Sequence, residues 1–293
     1  MEIRTVSGKQ IRKVGLGTFP FQGEMMANII QDAVEAGYRL FDTADDYRGE
    51  IGIGMAMNRH FVNRQDVFLQ TKISNDTAYA DEPLAGVYFN PLSKFMKRHT
   101  VSEIVNEKVH TSLRKMNTDY LDSVLIHYPY PGYYEEIWSC LQNLRDQGKI
   151  RFIGVSNFSI RHLEVLRTMG ESPSINEIYI SPIGTKEEMV SYAIHNGIQI
   201  MTYSPLMDLT RNNLNNGILV KIGDRYGKSN SQIVLRWNIE RGCIPLAKTK
   251  SKSRMMENMD VENFKLTQEE IEEISSMNRD FQILKESRIC PGL

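Results

Sequence analysis

Cysteine is scarce in this chain. Three are spread over 293 residues, Cys140, Cys243 and Cys290, and no two form a C-x-x-C pair. An odd, dispersed set gives no sign of a disulfide framework and fits a reduced, cytoplasmic setting. No metal site is expected either. Excess charge of one sign is missing too: 35 basic residues meet 36 acidic ones, for a formal net charge of −1. That argues against nucleic acid and an anionic membrane surface as main partners, because both want a basic excess. A local anion pocket stays open. No apolar run reaches the ~18 residues of a membrane helix, and the opening MEIRTVSGKQ has no apolar signal region. No G-x-G-x-x-G follows a strand pattern; GIGMAM at Gly52 lies inside a helical one.

What is present alternates. Short apolar segments suited to strands are VGLG (14–17), YRLFDTA (38–44), VFLQTKI (67–73), DSVLIHY (122–128), RFIGVS (151–156), INEIYI (175–180), IQIMTYS (198–204) and GCIPLAK (242–248). Amphipathic helical patterns lie between them. Met26, Ile29, Ile30 and Ala33 share one face, as do Val105, Val109, Leu113 and Met116. Thr267 and Glu270 have the spacing of a capping box before Ile271 and Ile274. Alternating strands and helices imply a parallel sheet. Eight units in 293 residues, with no break in composition, predict a single domain over 1–293. A closed (β/α)8 TIM barrel suits that count best, with a doubly wound open sheet as the alternative. The stretch 74–100, rich in aromatics, is too long for an ordinary connection after the third strand. It is expected to form a lid or substrate wall, or else a decorated surface loop.

In a barrel of this kind the chemistry sits where the strands end. The second strand ends in Asp42, with Tyr47 five residues on; the third ends in Lys72 and the fourth in His127. A cation beside a tyrosine favours the phenolate and lowers its pKa. Lys72 is therefore expected to tune Tyr47, with Asp42 as the counter-charge a buried lysine requires. His127 would orient a carbonyl oxygen beside the Tyr47 hydroxyl. Such a set makes a general acid and an oxyanion site for a carbonyl gaining hydride, and a cofactor must supply the hydride.

FDTADDY, QTK, LIHYP, GVSNF, TYSPL and the late RMMEN, in this order from GLGTF (15–19) onward, resemble the aldo-keto reductase superfamily. The resemblance covers nearly the whole chain. It implies a (β/α)8 barrel, NADPH/NADP+ as cofactor, a small-molecule carbonyl substrate, and a monomer or weak homo-oligomer. It places the catalytic tetrad at Asp42, Tyr47, Lys72 and His127. It also implies cofactor contacts at Gly17 and Thr18, and at Ser156, Asn157 and Glu177 for the carboxamide. Tyr203 would stack on the nicotinamide ring, with Ser204, Pro205 and Leu206 on the pyrophosphate side. Lys248, Thr249 and Arg254 would grip the 2′-phosphate, with Glu257 and Asn258 at the adenine. Phe19 and Tyr128 would line the substrate mouth, with Tyr130, Tyr133 and Tyr134 open between that role and packing.

The chain departs from the family pattern at Glu177, where glutamine is usual, at Ala247, where proline is usual, and at Tyr128, where tryptophan is common. A carboxylate at 177 accepts from a carboxamide but does not donate; two states stay open, an ionised one that would stabilise oxidised nicotinamide and a protonated one. Two other readings stand beside the reductase: a cofactor-binding sensor or regulatory subunit, and a lyase or aldolase using Lys72 as a Schiff base.

Overall fold

The computed structural model describes residues 6–8, 11, 13–60, 62–74, 100–130, 132–211 and 217–283. Eight short strands pair in parallel and in sequence order, β1 (Gly15–Gly17), β2 (Leu40–Asp42), β3 (Phe68–Ile73), β4 (Leu121–Ile126), β5 (Ile150–Ser156), β6 (Ile175–Tyr179), β7 (Gln199–Tyr203) and β8 (Ile244–Ala247). The sheet closes where Gly15 pairs with Leu246 and Leu16 with Ala247. This is the (β/α)8 barrel, and the open-sheet alternative falls. Among the described residues there are eleven α-helices: α1 (Gly23–Glu35), α2 (Gly49–Asn58), α3 (Val101–Met116), α4 (Tyr134–Asp146), α5 (Ile160–Thr168), α6 (Glu187–His195), α7 (Met207–Arg211), α8 (Gly217–Tyr226), α9 (Asn230–Glu240), α10 (Lys252–Met259) and α11 (Gln268–Ser275). Sequence periodicity suggested about eight. The surplus comes after β7, where α7, α8 and α9 follow in turn, and after β8, where α10 and α11 do. The segment expected to act as a lid lies outside the described residues between 75 and 99, as does Cys290.

Local signals explain the elements. Met26, Ile29, Ile30 and Ala33 bury one face of α1, and α3 buries Val105, Val109, Leu113 and Met116. The capping box of Thr267 and Glu270 opens α11, and an equivalent box of Thr100 and Glu103 opens α3. Cys140 is buried on α4, and Cys243 is buried one residue ahead of β8; both are free thiols in packing positions.

The barrel interior is layered. Leu40, Phe68, Leu125, Ile175, Met201 and Leu246 form one apolar cluster with Ile11, just ahead of β1. Residues alternate faces along a strand, so the next inward position on each strand lies one layer higher. On β3 the inward run is Phe68, Gln70, Lys72 and then Ser74, which passes from apolar floor to polar mouth. Each fully buried large side chain of the floor contributes about 1.5–3 kcal/mol.

Two glycines make room for that floor. A Cβ on Gly15 would lie 2.6 Å from both Leu246 Cδ2 and Leu40 Cδ2. One on Gly154 would lie 2.7 Å from the Ile175 carbonyl oxygen and from Leu125 Cδ2. Backbone cannot yield as a side chain does, so Gly154→Ala is expected to destabilise the barrel by about 1–3 kcal/mol through overpacking. Urea unfolding of the two proteins measures this, and an unchanged midpoint would show that the β5–β6 seam has slack.

Candidate active site

The polar layer opens at the C-terminal ends of the strands. The hydrogen-bond ladder continues past β1, β2, β4 and β5 and carries the next residues into place. Thr18 N donates to Asp42 O, Thr43 N to Gln70 O, Asp45 N to Lys72 O, His127 N to Ile73 O and Asn157 N to Glu177 O. A turn closed by Tyr47 N donating to Ala44 O (3.1 Å) then brings Tyr47 back over Asp42.

Lys72 lies at the centre of the layer and is 1% exposed. Its Nζ donates to both oxygens of Asp42, at 2.6 and 2.7 Å, and to the Thr43 carbonyl at 3.0 Å. It also lies 3.2 Å from Glu177 Oε1. Burial disfavours the ammonium, but Asp42 and Glu177 outweigh it and hold Lys72 above the usual lysine range. A lysine kept protonated in this way is a poor Schiff-base nucleophile, which weighs against the lyase reading.

Tyr47 is tied to His127: its hydroxyl lies 3.3 Å from His127 Nε2. Lys72 Nζ is 5.4 Å from the Tyr47 ring centre. The expectation that Lys72 lowers the phenol's pKa is corrected here. Burial first, then the charges of Asp42 and Glu177, hold the Tyr47 phenol well above its ordinary range. Lys72 is drawn onto Asp42, and its charge does not offset burial and the acids around the phenol. His127 moves the other way. Burial, then the charges of Lys72 and Lys108, push it well below the usual imidazole range. Its Nδ1 meets the Ser74 hydroxyl at 2.7 Å. A neutral imidazole carries one N–H, so when Ser74 donates to Nδ1, Nε2–H points toward Tyr47.

The opposite wall comes from β5, β6 and β7. Ser156 Oγ donates to the Glu177 carbonyl at 3.0 Å. Asn157 has a left-handed backbone, φ 63°. Its Nδ2 donates to the His127 carbonyl (3.1 Å), and its Oδ1 accepts from the Tyr203 hydroxyl (2.9 Å). Aromatic rings rim the opening: Phe19 lies 5.0 Å from Tyr47 and Tyr128 stacks 4.5 Å from His127, between ring centres. Tyr134 is instead buried against Phe158 and His162, and Tyr133 packs on the core, so these two are packing residues.

These groups enclose a cavity of about 160 Å³. Asp42, Tyr47 and His127 line it, as do Gly17, Thr18, Phe19, Tyr128, Ser156, Asn157, Glu177, Tyr203, Ser204 and Lys248. Lys72 lies beneath, behind Asp42. Pro205, Leu206, Thr249, Arg254, Glu257 and Asn258 do not line it. Asn258 is on the buried face of α10, and Glu257 accepts from Ser229. A larger cavity of about 780 Å³ adjoins this one through Asn157 and Tyr203, but none of the four tetrad residues lines it. Lys248 and Arg254 are exposed, and neither has an ion-pair partner among the described residues. Lys252 in the same basic run is folded back onto Asp32 and Glu35 of α1.

Sequence reasoning passed over several groups. Gln70 is fully buried and donates to Asp42 Oδ1 at 2.9 Å and to Glu177 Oε2 at 2.8 Å. Ser74 holds His127. Lys108 on α3 donates to Asp45 (2.6 Å) and to the Ser74 carbonyl (2.6 Å). The period of two from Lys72 marks Gln70 and Ser74 as inward positions. Leu246 also lines the cavity as the top of the apolar floor.

The family match is decisive. The Aldo/keto reductase family model matches residues 13–279. A glyoxal reductase of Bacillus subtilis (strain 168) is 32% identical, with 96% of this chain and 94% of that one covered. The methylglyoxal reductase DkgA of Escherichia coli (strain K12) is 32% identical over 94% of this chain and 93% of its own. Among solved structures, a Bombyx mori aldo-keto reductase in complex with NADP superposes with a TM-score of 0.81 at 30% identity, covering 97% of this chain and 95% of that one. The chain belongs to the aldo/keto reductase family. It is an oxidoreductase of that type.

The depressed His127 pKa gives a stability test. The folded chain keeps His127 neutral where the unfolded chain binds a proton below about pH 6.5. Its contribution is therefore full above that pH and declines as pH falls. The stability of His127→Gln is expected to fall less steeply than wild type between pH 7 and 5, as read from denaturant midpoints. Parallel profiles would show that His127 takes up its proton in the fold.

Proposed function

We propose that the protein is an NADPH-dependent carbonyl reductase that converts an aldehyde or ketone to the alcohol. The observation that carries this is the Tyr47 hydroxyl held 3.3 Å from His127 Nε2 at the wall of a cavity floored by the Asp42–Lys72 pair. A carbonyl oxygen inserted between those two groups would take a hydrogen bond from each.

The chemistry of the cavity wall suits a nicotinamide. Ser156 and Asn157 supply a hydroxyl and an amide that match a primary carboxamide, and Tyr203 supplies an aromatic face. Gly17 leaves bare backbone, since a Cβ there would meet nothing closer than 3.8 Å. Lys248 and Arg254, both exposed and unpaired among the described residues, with the Thr249 hydroxyl, suit a dianionic 2′-phosphate. When bound, the cofactor supplies a hydride to the carbonyl carbon.

The chain's own residues do the rest. His127 stays neutral and aims the carbonyl oxygen by a hydrogen bond, with Ser74 fixing the ring. Tyr47 stays protonated throughout the working pH range, and it gives its proton to the oxygen as negative charge develops there. Lys72, anchored by Asp42, provides the nearby fixed cation for the phenolate left behind. Phe19 and Tyr128 make an apolar mouth. Small α-dicarbonyls and aryl aldehydes are the substrates to try first, the former because two relatives are glyoxal and methylglyoxal reductases.

NADPH oxidation by the purified protein, with NADH in parallel, tests the reading against glyoxal, methylglyoxal, aryl aldehydes and sugars. Turnover with NADPH and little with NADH is expected. No turnover with any carbonyl, despite cofactor binding, would contradict it and leave the sensor. Tyr47→Phe should lower kcat by about 10²–10⁴-fold while the NADPH Kd stays near wild type. Equal loss of both would remove Tyr47 from the acid role. Arg254→Ala should cut kcat/KM for NADPH by roughly 10–100-fold, the loss of one charge-assisted bond, and leave NADH use unchanged. An equal effect on both cofactors would place the 2′-phosphate elsewhere.

A further inference from the structure

The floor of the cavity holds an unusual charge count. Asp42, Lys72 and Glu177 arise from β2, β3 and β6, and all three are at most 4% exposed. Lys72 Nζ faces Asp42 at 2.6 Å and Glu177 at 3.2 Å. Gln70 clamps the pair: its Nε2 donates to Asp42 Oδ1 and to Glu177 Oε2, and its Oε1 accepts from Ser123 at 2.6 Å. The amide's three bonds are all committed, so it cannot turn to relieve either carboxylate. Two carboxylates and one ammonium sum to −1 unless one acid holds a proton.

Of the groups lining the same cavity from other elements, Lys248 alone is a cation among the described residues, and it is exposed to solvent rather than buried with the trio. Tyr47, Tyr128 and Tyr203 are phenols, and His127 is neutral. Lys108 lies behind Ser74, where Asp45 neutralises it at 2.6 Å. Burying a net charge is costly, so the trio retains a proton in the free protein. Of the two acids, Asp42 has the bidentate hold on Lys72 and Glu177 has the longer, single contact. Burial, then the charge of Asp42, hold the Glu177 carboxyl well above the usual carboxylate range.

We propose that Glu177 carries a proton in the free protein and with the neutral reduced cofactor, and releases it to solvent when the cationic oxidised ring binds. The proton leaves the carboxyl O–H, and the carboxylate left behind offsets the positive ring. Glu177 is thereby a residue that sets the relative affinity for oxidised and reduced cofactor and links it to pH. This rests on the reading of the cavity as a nicotinamide site.

The test is the Kd of NADP+ and of NADPH from pH 6 to 9, by calorimetry in buffers of differing protonation enthalpy, for wild type and Glu177→Gln. The 2′-phosphate titrates in both nucleotides, so its effect cancels in their ratio. The wild type should favour NADP+ increasingly as pH rises, by up to about tenfold per pH unit. It should also release up to one more proton with NADP+ than with NADPH. Glu177→Gln should show a flat ratio and no extra proton. A flat ratio in the wild type overturns the proposal alone, and so does a slope that persists in Glu177→Gln. Failure of both nucleotides to bind the wild type overturns the nicotinamide reading and this proposal with it. Should Glu177→Gln fail to fold, the wild-type proton count still decides.

Discussion

The site depends on one buried ammonium. Lys72 is almost wholly removed from water, and two acids from different strands, Asp42 and Glu177, hold it. Removing one partner of such a pair strands a charge at a cost of about 3–5 kcal/mol. The arrangement is possible only because the barrel closes, so that inward positions of β2, β3 and β6 meet across its interior. Gln70 then joins the two acids, and Ser123 fixes Gln70. This polar girdle is fully bonded at its centre, which is the condition under which a buried network specifies one geometry. Tyr47 and His127 inherit their positions and their protonation states from it.

The layers beneath and around the girdle have separate duties. Below, an apolar floor keeps water from the ion pairs and raises their strength. Gly15 and Gly154 permit that floor to close. Outside, the helices bury one face each and leave the polar layer undisturbed. Above, the loops hold Asn157 and Ser204 in left-handed backbone, φ 63° and 52°. In Asn157 the conformation is held by hydrogen bonds that link the β4, β5 and β7 ends into one wall. Substrate-facing chemistry therefore rests on groups whose rotamers are already determined.

Much of this was legible in the residues. Short apolar segments alternating with period-3.6 patterns located all eight strands to within a few positions, because buried parallel strands are short, apolar and bounded by polar residues. The strand-end rule picked out Asp42, Lys72 and His127, and the barrel brings their side chains together. Other features depend on contacts between distant segments and could not be read from local pattern. Nothing near Lys252 shows that it folds onto α1 while Lys248 and Arg254 have no ion-pair partner among the described residues. The direction of the Tyr47 shift was missed for the same reason: pairing Lys72 with Asp42 alone leaves out Glu177, 105 positions away from Lys72 in sequence. Gln70 and Ser74 were within reach, since each is two residues from Lys72 on the same face.

As proposed, hydride passes in the cavity from a nicotinamide to a carbonyl carbon. The most direct measurement uses NADPH deuterated at C4 with the best carbonyl substrate, followed by mass spectrometry of the alcohol. One deuterium is expected, on the carbinol carbon, and none from deuterated water at that position. An alcohol without cofactor-derived deuterium, or with solvent deuterium on carbon, would contradict it.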